Sequence, residues 1–295
     1  MTLFSLAPTA KPPCVSKFAR AMSPAQRQAL ADLRSTALQN PPLDYLALRC
    51  GSQHLGHLPR THAIWLASAL DECHLELGQV VWNALHLTAS QRSAKLQMAL
   101  ADLTDQGRVA AWRHEEFSFS ADASVQPQAP FAEFLRIERA GFRFLGLLSH
   151  AVHINGFTPD GTMWCGQRSA DKATDPGLWD NFTAGGLAAS EGLAQCAARE
   201  LWEEAGFKLQ HPSLLDDVGH VRISRPTPDG WHDEVLHVYN LPLPRGFVPL
   251  NQDGEVQAFA CLSASEVMAQ IEAQQFTADA ALAIAQGLTE TNTPL

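Results

Sequence analysis

The stretch GGLAASEGLAQCAARELWEEAGF, residues 185–207, decides the fold of this chain. Four of its five charged residues, Arg199, Glu200, Glu203 and Glu204, stand within six positions. A helix turns by about 100° per residue, so Glu203 and Glu204 lie on either side of Glu200 and the three carboxylates project from one face. Like charges at this spacing repel one another and destabilise a helix. The face is therefore either an ordinary solvated helix end or a device that holds a cation.

Both ends of this helix have sequence signals. Ser190 is a candidate N-cap, and Glu191 places a negative charge at the positive N-terminus. Gly206 suits the left-handed residue that ends many helices. Arg199 can pair with Glu203 one turn later and relieve part of the repulsion. The predicted buried stripe consists of apolar residues at four-residue steps, namely Leu193, Ala197 and Leu201.

The stretch also fits a longer and more specific pattern. Written with U for an apolar residue, that pattern is G-x5-E-x7-R-E-U-x-E-E-x-G-U. At average residue usage, a chance match in a chain of 295 residues is on the order of one in millions. The pattern is the Nudix box, so the chain resembles a Nudix hydrolase. It matches the box at every fixed position: Gly185, Glu191, Arg199, Glu200, Leu201, Glu203, Glu204, Gly206 and Phe207.

The resemblance implies both a fold and a reaction. The fold is α/β, a Nudix α/β/α sandwich around a mixed sheet. The reaction is cleavage of a diphosphate with Mg²⁺, or with Mn²⁺ as the alternative, and carboxylates are the ligands that such cations prefer. By the family pattern Glu200, Glu203 and Glu204 hold metal, Glu203 and Glu204 act in catalysis, and Arg199 orients a carboxylate. A further base often comes from a later loop, where Glu255 in NQDGEV is the candidate and a surface acid beside a turn is an equal alternative.

Composition shifts along the chain predict three parts. Residues 1–23 contain Pro and Ser and are expected to form a loose N-terminal arm. Residues 24–125 mix short apolar runs with helical patterns, which indicates a smaller N-terminal α+β domain of unknown role. The segment SFSADASVQPQAP, 118–130, is polar and without periodicity, so it is the expected linker. Residues 130–295 are then the Nudix hydrolase domain.

Three local signals lie inside this last part. The tetrapeptide TPDG occurs at 158–161 and again at 227–230, and each copy stands between apolar runs. Both copies predict hairpin turns. Phe131, Phe134, Leu135 and Glu138 stand at helical spacing before Gly141, which predicts a short helix.

The substrate is suggested by sequence outside the box. HINGF (153–157), RSADKATDPGLWDNFTAGG (168–186) and NQDGEVQAF (251–259) look like one branch of the Nudix family. That branch has an extra N-terminal domain and is similar to Nudix domains of thiamine metabolism, including the type fused to thiamine pyrophosphokinase. Its implied activity is conversion of thiamine diphosphate, or of damaged forms such as oxythiamine diphosphate, to the monophosphate. Gly185 and Gly186 allow the backbone to approach the start of the helix closely.

Four side chains before the glycine pair are candidates for substrate binding. Arg168 and Lys172 lie four residues apart and could meet phosphate oxygens, although lone surface cations are the simpler interpretation. Trp179 and Phe182 could stack on a planar heterocycle, although each alone is more often a core residue.

Composition excludes several other classes of protein. A formal charge of −10 argues against a nucleic-acid footprint, and no apolar run approaches the length of a membrane helix. The six cysteines are widely spaced, which favours isolated thiols in a reducing compartment, so we expect a cytoplasmic protein. Its partner is a small-molecule diphosphate, and a homodimer stays open.

Three alternatives share the Nudix fold. A nucleoside-diphosphate-sugar or dinucleotide pyrophosphatase would use the same chemistry with another pocket. An isopentenyl-diphosphate isomerase characteristically departs from the box, which is intact here. A non-catalytic ligand sensor of the kind found in transcriptional regulators need not keep every carboxylate, and no basic patch accompanies the domain.

Overall fold

A computed structural model describes residues 12–110, 112–121 and 133–289. The helices of these residues are α1 (Pro13–Arg20), α2 (Pro24–Ser35), α3 (Arg60–Ala69), α4 (Ala89–Asp105), α5 (Ala140–Leu145), α6 (Leu193–Ala205), α7 (Ala264–Glu272) and α8 (Ala278–Leu288). The strands are β1 (Tyr45–Cys50), β2 (Gln53–Pro59), β3 (Cys73–Glu76), β4 (Gln79–Trp82), β5 (Glu116–Phe119), β6 (Leu135–Glu138), β7 (Leu148–Phe157), β8 (Met163–Arg168), β9 (Trp179–Asp180), β10 (Thr183–Gly186), β11 (Asp216–Thr227), β12 (Gly230–Pro242) and β13 (Val256–Leu262).

The larger sheet has the order β11-β12-β7-β8-β13, with β10 added to β7 and β9 added to β8. It is mixed, because β12 and β7 are parallel while the other pairs are antiparallel. Side chains alternate between the faces of a strand. On β7, Val152 packs in one core with Leu201 of α6, and Ala151 packs in another with Ala283 of α8. The α/β/α sandwich around a mixed sheet is therefore confirmed.

A smaller sheet, in the order β2-β1-β4-β3, occupies the first half of the chain. Helices α3 and α4 share its core, and so do β5 and β6. The predicted α+β unit is present, but its core continues through Phe142 and Leu147, beyond the boundary expected at 118–130. The strand β5 pairs with β6 across that segment, of which residues 122–132 lie outside the described part.

The short helix expected before Gly141 was a wrong prediction. Residues 135–138 form β6, and α5 begins only at Ala140. Leu135 and Ile137 are both fully buried, and Arg136 between them is half-buried, which is the alternation of a strand. The apolar spacing was therefore compatible with both a helix and a strand. Residues 135–138 form a strand because they pair with β5.

The loose arm expected at residues 1–23 was also wrong where the structure describes it. In α1 the residues Val15 and Phe18 are buried, and the Phe18 ring meets the Phe157 ring edge-on at a centroid distance of 5.3 Å. Next, α2 begins at the capping box of Ser23 and packs against α8. Both helices therefore belong to the core of the larger sheet, and residues 1–11 lie outside the described part.

Both TPDG segments form the predicted hairpin turns, one between β7 and β8 and one between β11 and β12. Gly161 and Gly230 have φ values of 85° and 138°, which only glycine adopts readily. All six cysteines are free thiols. Among the described residues, no helix combines the length and the apolar character that crossing a membrane requires.

Candidate active site

Helix α6 positions the box and starts later than its sequence suggests. Gly192 is the N-cap, whereas Ser190 has a left-handed φ of 70° and does not cap the helix. The helix ends at Gly206, whose φ of 65° and ψ of 16° confirm the predicted left-handed cap. The segment 187–192 thus forms a loop between β10 and α6, and this loop carries Glu191 toward Arg199.

Arg199 is the centre of the charged network. Its Nε and Nη2 donate to the two oxygens of Glu191 over 2.9 Å each, so the pair is bidentate. Its Nη1 donates to Glu200 Oε1 at 2.6 Å and to Glu203 Oε2 at 3.1 Å, which confirms the predicted contact with Glu203. Arg199 also donates to the carbonyl oxygen of Gly186 at 3.2 Å. One guanidinium therefore fixes three carboxylates and ties α6 to β10.

Glu200 stands against the strand that carries the glycine pair. A Cβ at Gly185 would overlap the Glu200 carboxylate, so only glycine leaves room for it. Burial raises the pKa of Glu200 to about 7, against the opposing effect of the Arg199 guanidinium. The close approach expected at Gly185 thus leaves space for the Glu200 carboxylate between α6 and β10.

Glu204 takes a different position from its two neighbours. Its Oε2 accepts a hydrogen bond of 2.9 Å from the Ala184 amide, and the residue is buried behind the wall of the cleft. Burial raises its pKa well above the usual range, and the nearby Glu200 carboxylate raises it further. Lys172 is close enough to lower the pKa of Glu204. Glu204 therefore adjoins the site from the side of β10.

The donor set fits a hard cation. Arg199 occupies one oxygen of Glu200 and one of Glu203, and their second oxygens accept no hydrogen bond from any other described residue. Mg²⁺ and Mn²⁺ bind carboxylate oxygens together with phosphates and waters, so carboxylates that line an open cleft suit these ions. The space beside Gly185 is shaped for one of these carboxylates. The residues that would hold the ion are Glu200, Glu203 and, from behind, Glu204.

A cleft of about 740 Å³ opens beside these carboxylates. Glu200 and Glu203 line the cleft, and so do Lys172 and Glu255. Lys172 and Glu255 form an ion pair with each other. Burial raises the pKa of Glu255, but Lys172 outweighs burial and the net pKa lies below the usual range. Glu255 is thus an ionised carboxylate near the box, and it also raises the pKa of Glu200.

Arg168 lines the cleft, but its guanidinium forms hydrogen bonds with the loop that follows β8. It donates to the carbonyl oxygens of Thr174 and Asp175, at distances from 2.8 to 3.2 Å, and pairs with Asp180 at 3.1 Å. These contacts fold the loop that carries Lys172. Arg168 is therefore better described as a residue that positions Lys172 than as a direct phosphate ligand.

The two predicted stacking residues do not face the cleft. Phe182 is fully buried and packs against the Phe247 ring at a centroid distance of 6.1 Å. Trp179 is half-buried, lies outside the cleft lining and packs into the core of α7 and α8. Its backbone bridges to Phe276, which turns β9 toward that core. The stacking prediction for Trp179 and Phe182 was wrong.

The N-terminal unit supplies cleft residues that the sequence did not single out. The Phe117 ring lies where a Cβ on Gly186 would be, and Phe142 packs edge-on against it at 5.5 Å. Arg113 and Arg139 also line the cleft, and both lower the pKa of Glu255. These contacts join segments that are distant in sequence, so no local motif could have indicated them.

Comparison with known proteins gives the family to which part of this chain belongs. Residues 149–282 match the family model described as the NUDIX domain. Nudix hydrolase 24, chloroplastic, of Arabidopsis thaliana is 31% identical over 205 residues, which cover 68% of this chain and 54% of the relative. Nudix hydrolase 20, chloroplastic, of the same plant is 30% identical over 224 residues, covering 75% and 58%. The chain spans little more than half the length of these relatives.

Among solved structures, the MutT protein of Methanosarcina mazei Go1 superposes with a TM-score of 0.38 at 18% identity, covering 48% of this chain and 92% of that one. The family model and the intact box agree on the same segment of the chain. Residues 149–282 therefore form a Nudix domain, and its carboxylates Glu200 and Glu203 line a cleft shared with the N-terminal unit.

Proposed function

We propose that this chain is a Mg²⁺-dependent hydrolase that cleaves a diphosphate linkage. One observation carries the proposal: the box carboxylates Glu200 and Glu203 line the same cleft as Lys172 and Glu255. Bound Mg²⁺ would neutralise charge on the diphosphate and lower the pKa of an attacking water. Carboxylates that can hold a cation, together with an amine and an ionised carboxylate, could position the groups and stabilise the charge of an in-line attack on phosphorus.

The protein groups have separable roles in this proposal. Glu255 is the candidate proton acceptor, and its ion pair with Lys172 keeps it ionised before substrate enters. Phosphate oxygens would compete for the Lys172 ammonium and free Glu255 to take a proton.

Arg139, which holds Glu115 at 2.6 Å and lies over the Phe117 ring, faces the same space from the N-terminal unit. Replacing Arg139 with Gln should therefore raise KM for every diphosphate, whereas the exposed Arg60 replaced in the same way serves as the control.

For the substrate we propose thiamine diphosphate or its oxidised and damaged analogues, converted to the monophosphate. The support is the sequence resemblance of residues 153–157, 168–186 and 251–259 to the thiamine-associated branch. Aromatic contact would come from the edge of Phe117, which lines the cleft beside Gly186, because Trp179 and Phe182 face the core. We further propose that the protein is cytoplasmic, which cell fractionation would test. Light scattering would measure whether it forms a homodimer.

A product screen tests the proposal directly. The full chain is incubated with Mg²⁺ and thiamine diphosphate, oxythiamine diphosphate, ADP-ribose, dinucleotides or NADH, and the monophosphate product is measured. We expect kcat/KM for oxythiamine diphosphate to exceed that for ADP-ribose. A tenfold preference for ADP-ribose would overturn the thiamine assignment and keep the hydrolase. Absence of turnover on every substrate, together with tight binding of one, would instead identify a sensor.

A further inference from the structure

A second group of metal-ligating side chains lies away from the box. His232 and Glu234 point to one face of β12, and Asp279 stands in the first turn of α8 above them. His232 Nε2 lies 3.3 Å from Asp279 Oδ1 and 3.8 Å from Glu234 Oε2. One ligand atom from each residue falls within 4.8 Å of the others, and among the described residues no other group of three or more such side chains meets this criterion.

Two of these ligand atoms are buried without a hydrogen-bond partner. His232 is only 2% exposed, and neither its Nε2 nor Asp279 Oδ1 forms a hydrogen bond with a described residue. The two atoms face each other as an ion-pair contact rather than through a well-aligned hydrogen bond. Leaving a buried polar atom without a well-aligned partner costs about 1–3 kcal/mol, and a cation bound between His232 and Asp279 would remove that cost for both atoms.

The charges around the cluster leave room for a cation. Glu234 and Asp279 contribute two negative charges, and Arg225, the register partner of His232 on β11, contributes one positive charge. With a neutral imidazole, as a metal ligand requires, the cluster therefore carries one net negative charge. Ser149 Oγ donates to the other oxygen of Glu234 at 2.8 Å and so fixes the direction of its free oxygen.

We propose that His232, Glu234 and Asp279 form a second divalent-cation site, separate from the Nudix box. The imidazole nitrogen distinguishes its chemistry, because Mg²⁺ favours all-oxygen sites while Zn²⁺ and Mn²⁺ accept mixed nitrogen and oxygen ligands. Glu234 and Asp279 line the cleft, so a fourth ligand position would face it. Such an ion would fasten the N-terminus of α8 to β12 and offer a contact to an anionic group in the cleft.

Metal binding tests this site without any need for turnover. The chelator-treated full chain is titrated with Zn²⁺ in excess Mg²⁺ by calorimetry, and bound zinc is measured after desalting. We expect one Zn²⁺ per chain. The same stoichiometry is expected in the double variant that combines Glu203→Gln and Glu204→Gln. Removing a ligand should weaken Zn²⁺ binding by about tenfold or more in His232→Gln and in Glu234→Gln. The exposed His74, changed to Gln, is the matched control.

The contrary results are equally clear. If the box double variant loses Zn²⁺ binding and His232→Gln keeps it, the strong zinc site lies at the box and the proposal is wrong. A wild-type chain that binds no Zn²⁺ would show that the cluster is a buried ion pair. If circular dichroism shows that His232→Gln is unfolded, Glu234→Gln decides, because glutamine can still accept the hydrogen bond from Ser149. Neither result depends on the proposed hydrolase activity.

Discussion

The carboxylate of Glu200 occupies the space that a Cβ would take at Gly185. The first glycine of the box is therefore required by a side chain on the facing helix rather than by a turn. We expect Gly185→Ala to displace Glu200 and to lower kcat by on the order of 10²-fold, as misplacement of a catalytic group by about 1 Å does.

Gly192→Ala is the control for this change, since the nearest atom to its new methyl group would be 3.6 Å away. It should leave the Mg²⁺-dependent rate within about twofold, because the cost of a poorer N-cap falls on stability, at about 1 kcal/mol. Equal rates in the two alanine variants would mean that the position of Glu200 does not matter for turnover.

The box carboxylates should control rate more than folding. Glu203→Gln or Glu204→Gln is expected to lower kcat by on the order of 10²–10⁴. Glutamine at 204 can still accept the Ala184 amide, so the fold should persist. The measurement is steady-state kinetics beside a thermal unfolding curve, with the exposed Glu272 changed to Gln as control. Near-normal rates in both box variants would sink the hydrolase assignment.

Metal affinity should depend on pH through Glu200. Burial raises its pKa from 4.5 to about 7, so the folded, metal-free chain holds a proton there that the unfolded chain has lost. The stability of the metal-free chain should therefore fall as pH rises through this window. Mg²⁺ needs the carboxylate, so deprotonation of Glu200 should raise its affinity by up to about tenfold per pH unit below about pH 7. Glu204, whose pKa is also raised by burial, should extend the dependence above that pH. Calorimetry at several pH values measures this, and a slope that persists in Glu200→Gln would point to another group.

Phenylalanines on the two sides of β10 should behave differently. Phe117→Leu removes an aromatic contact from the cleft, so KM for a heterocyclic diphosphate should rise several-fold, in line with about 0.5–1.5 kcal/mol for such a contact. Phe182→Leu changes only the core, so it should cost up to about 1.5 kcal/mol of stability with KM unchanged. Kinetics and urea unfolding of both variants make the comparison. The opposite result would return Phe182 to the substrate site.

Helix α1 should stabilise the whole chain. Phe18 is 1% exposed against Phe157, so Phe18→Ala should cost about 3–5 kcal/mol of unfolding free energy. Leu43 is fully exposed, and Leu43→Ala should change stability by less than about 0.5 kcal/mol. Urea unfolding measures both. For the same reason, a fragment of residues 130–295, which lacks α1 and α2, should be far less stable than the full chain.

The box and its helix could be predicted because their information is local. The spacing of Arg199, Glu200 and Glu203 fixes a face of a helix, and the Arg199–Glu203 ion pair follows from one turn of rise. Hairpin turns at the two TPDG segments are equally local. In each case the decisive contacts lie within a few residues, where backbone geometry alone determines which side chains meet.

The direction of strand side chains could not be predicted in the same way. Trp179 and Phe182 precede the glycine pair, but the face each one takes depends on pairing with β8 and on the bridge to Phe276. The partnership of Phe117 with Gly186 joins two units of the chain. Such contacts arise from tertiary packing, for which a single sequence contains no periodic signal.

The packing of α1 and α2 against the layer that contains α8 has a consequence for biosynthesis. A ribosome makes these two helices well before it makes α8. Until then the apolar face of α2, which includes Leu30, lacks the helix against which it packs. The nascent chain should therefore expose an apolar helix face until α8 has been translated, and chaperones that recognise exposed apolar helices should cross-link to it during that interval.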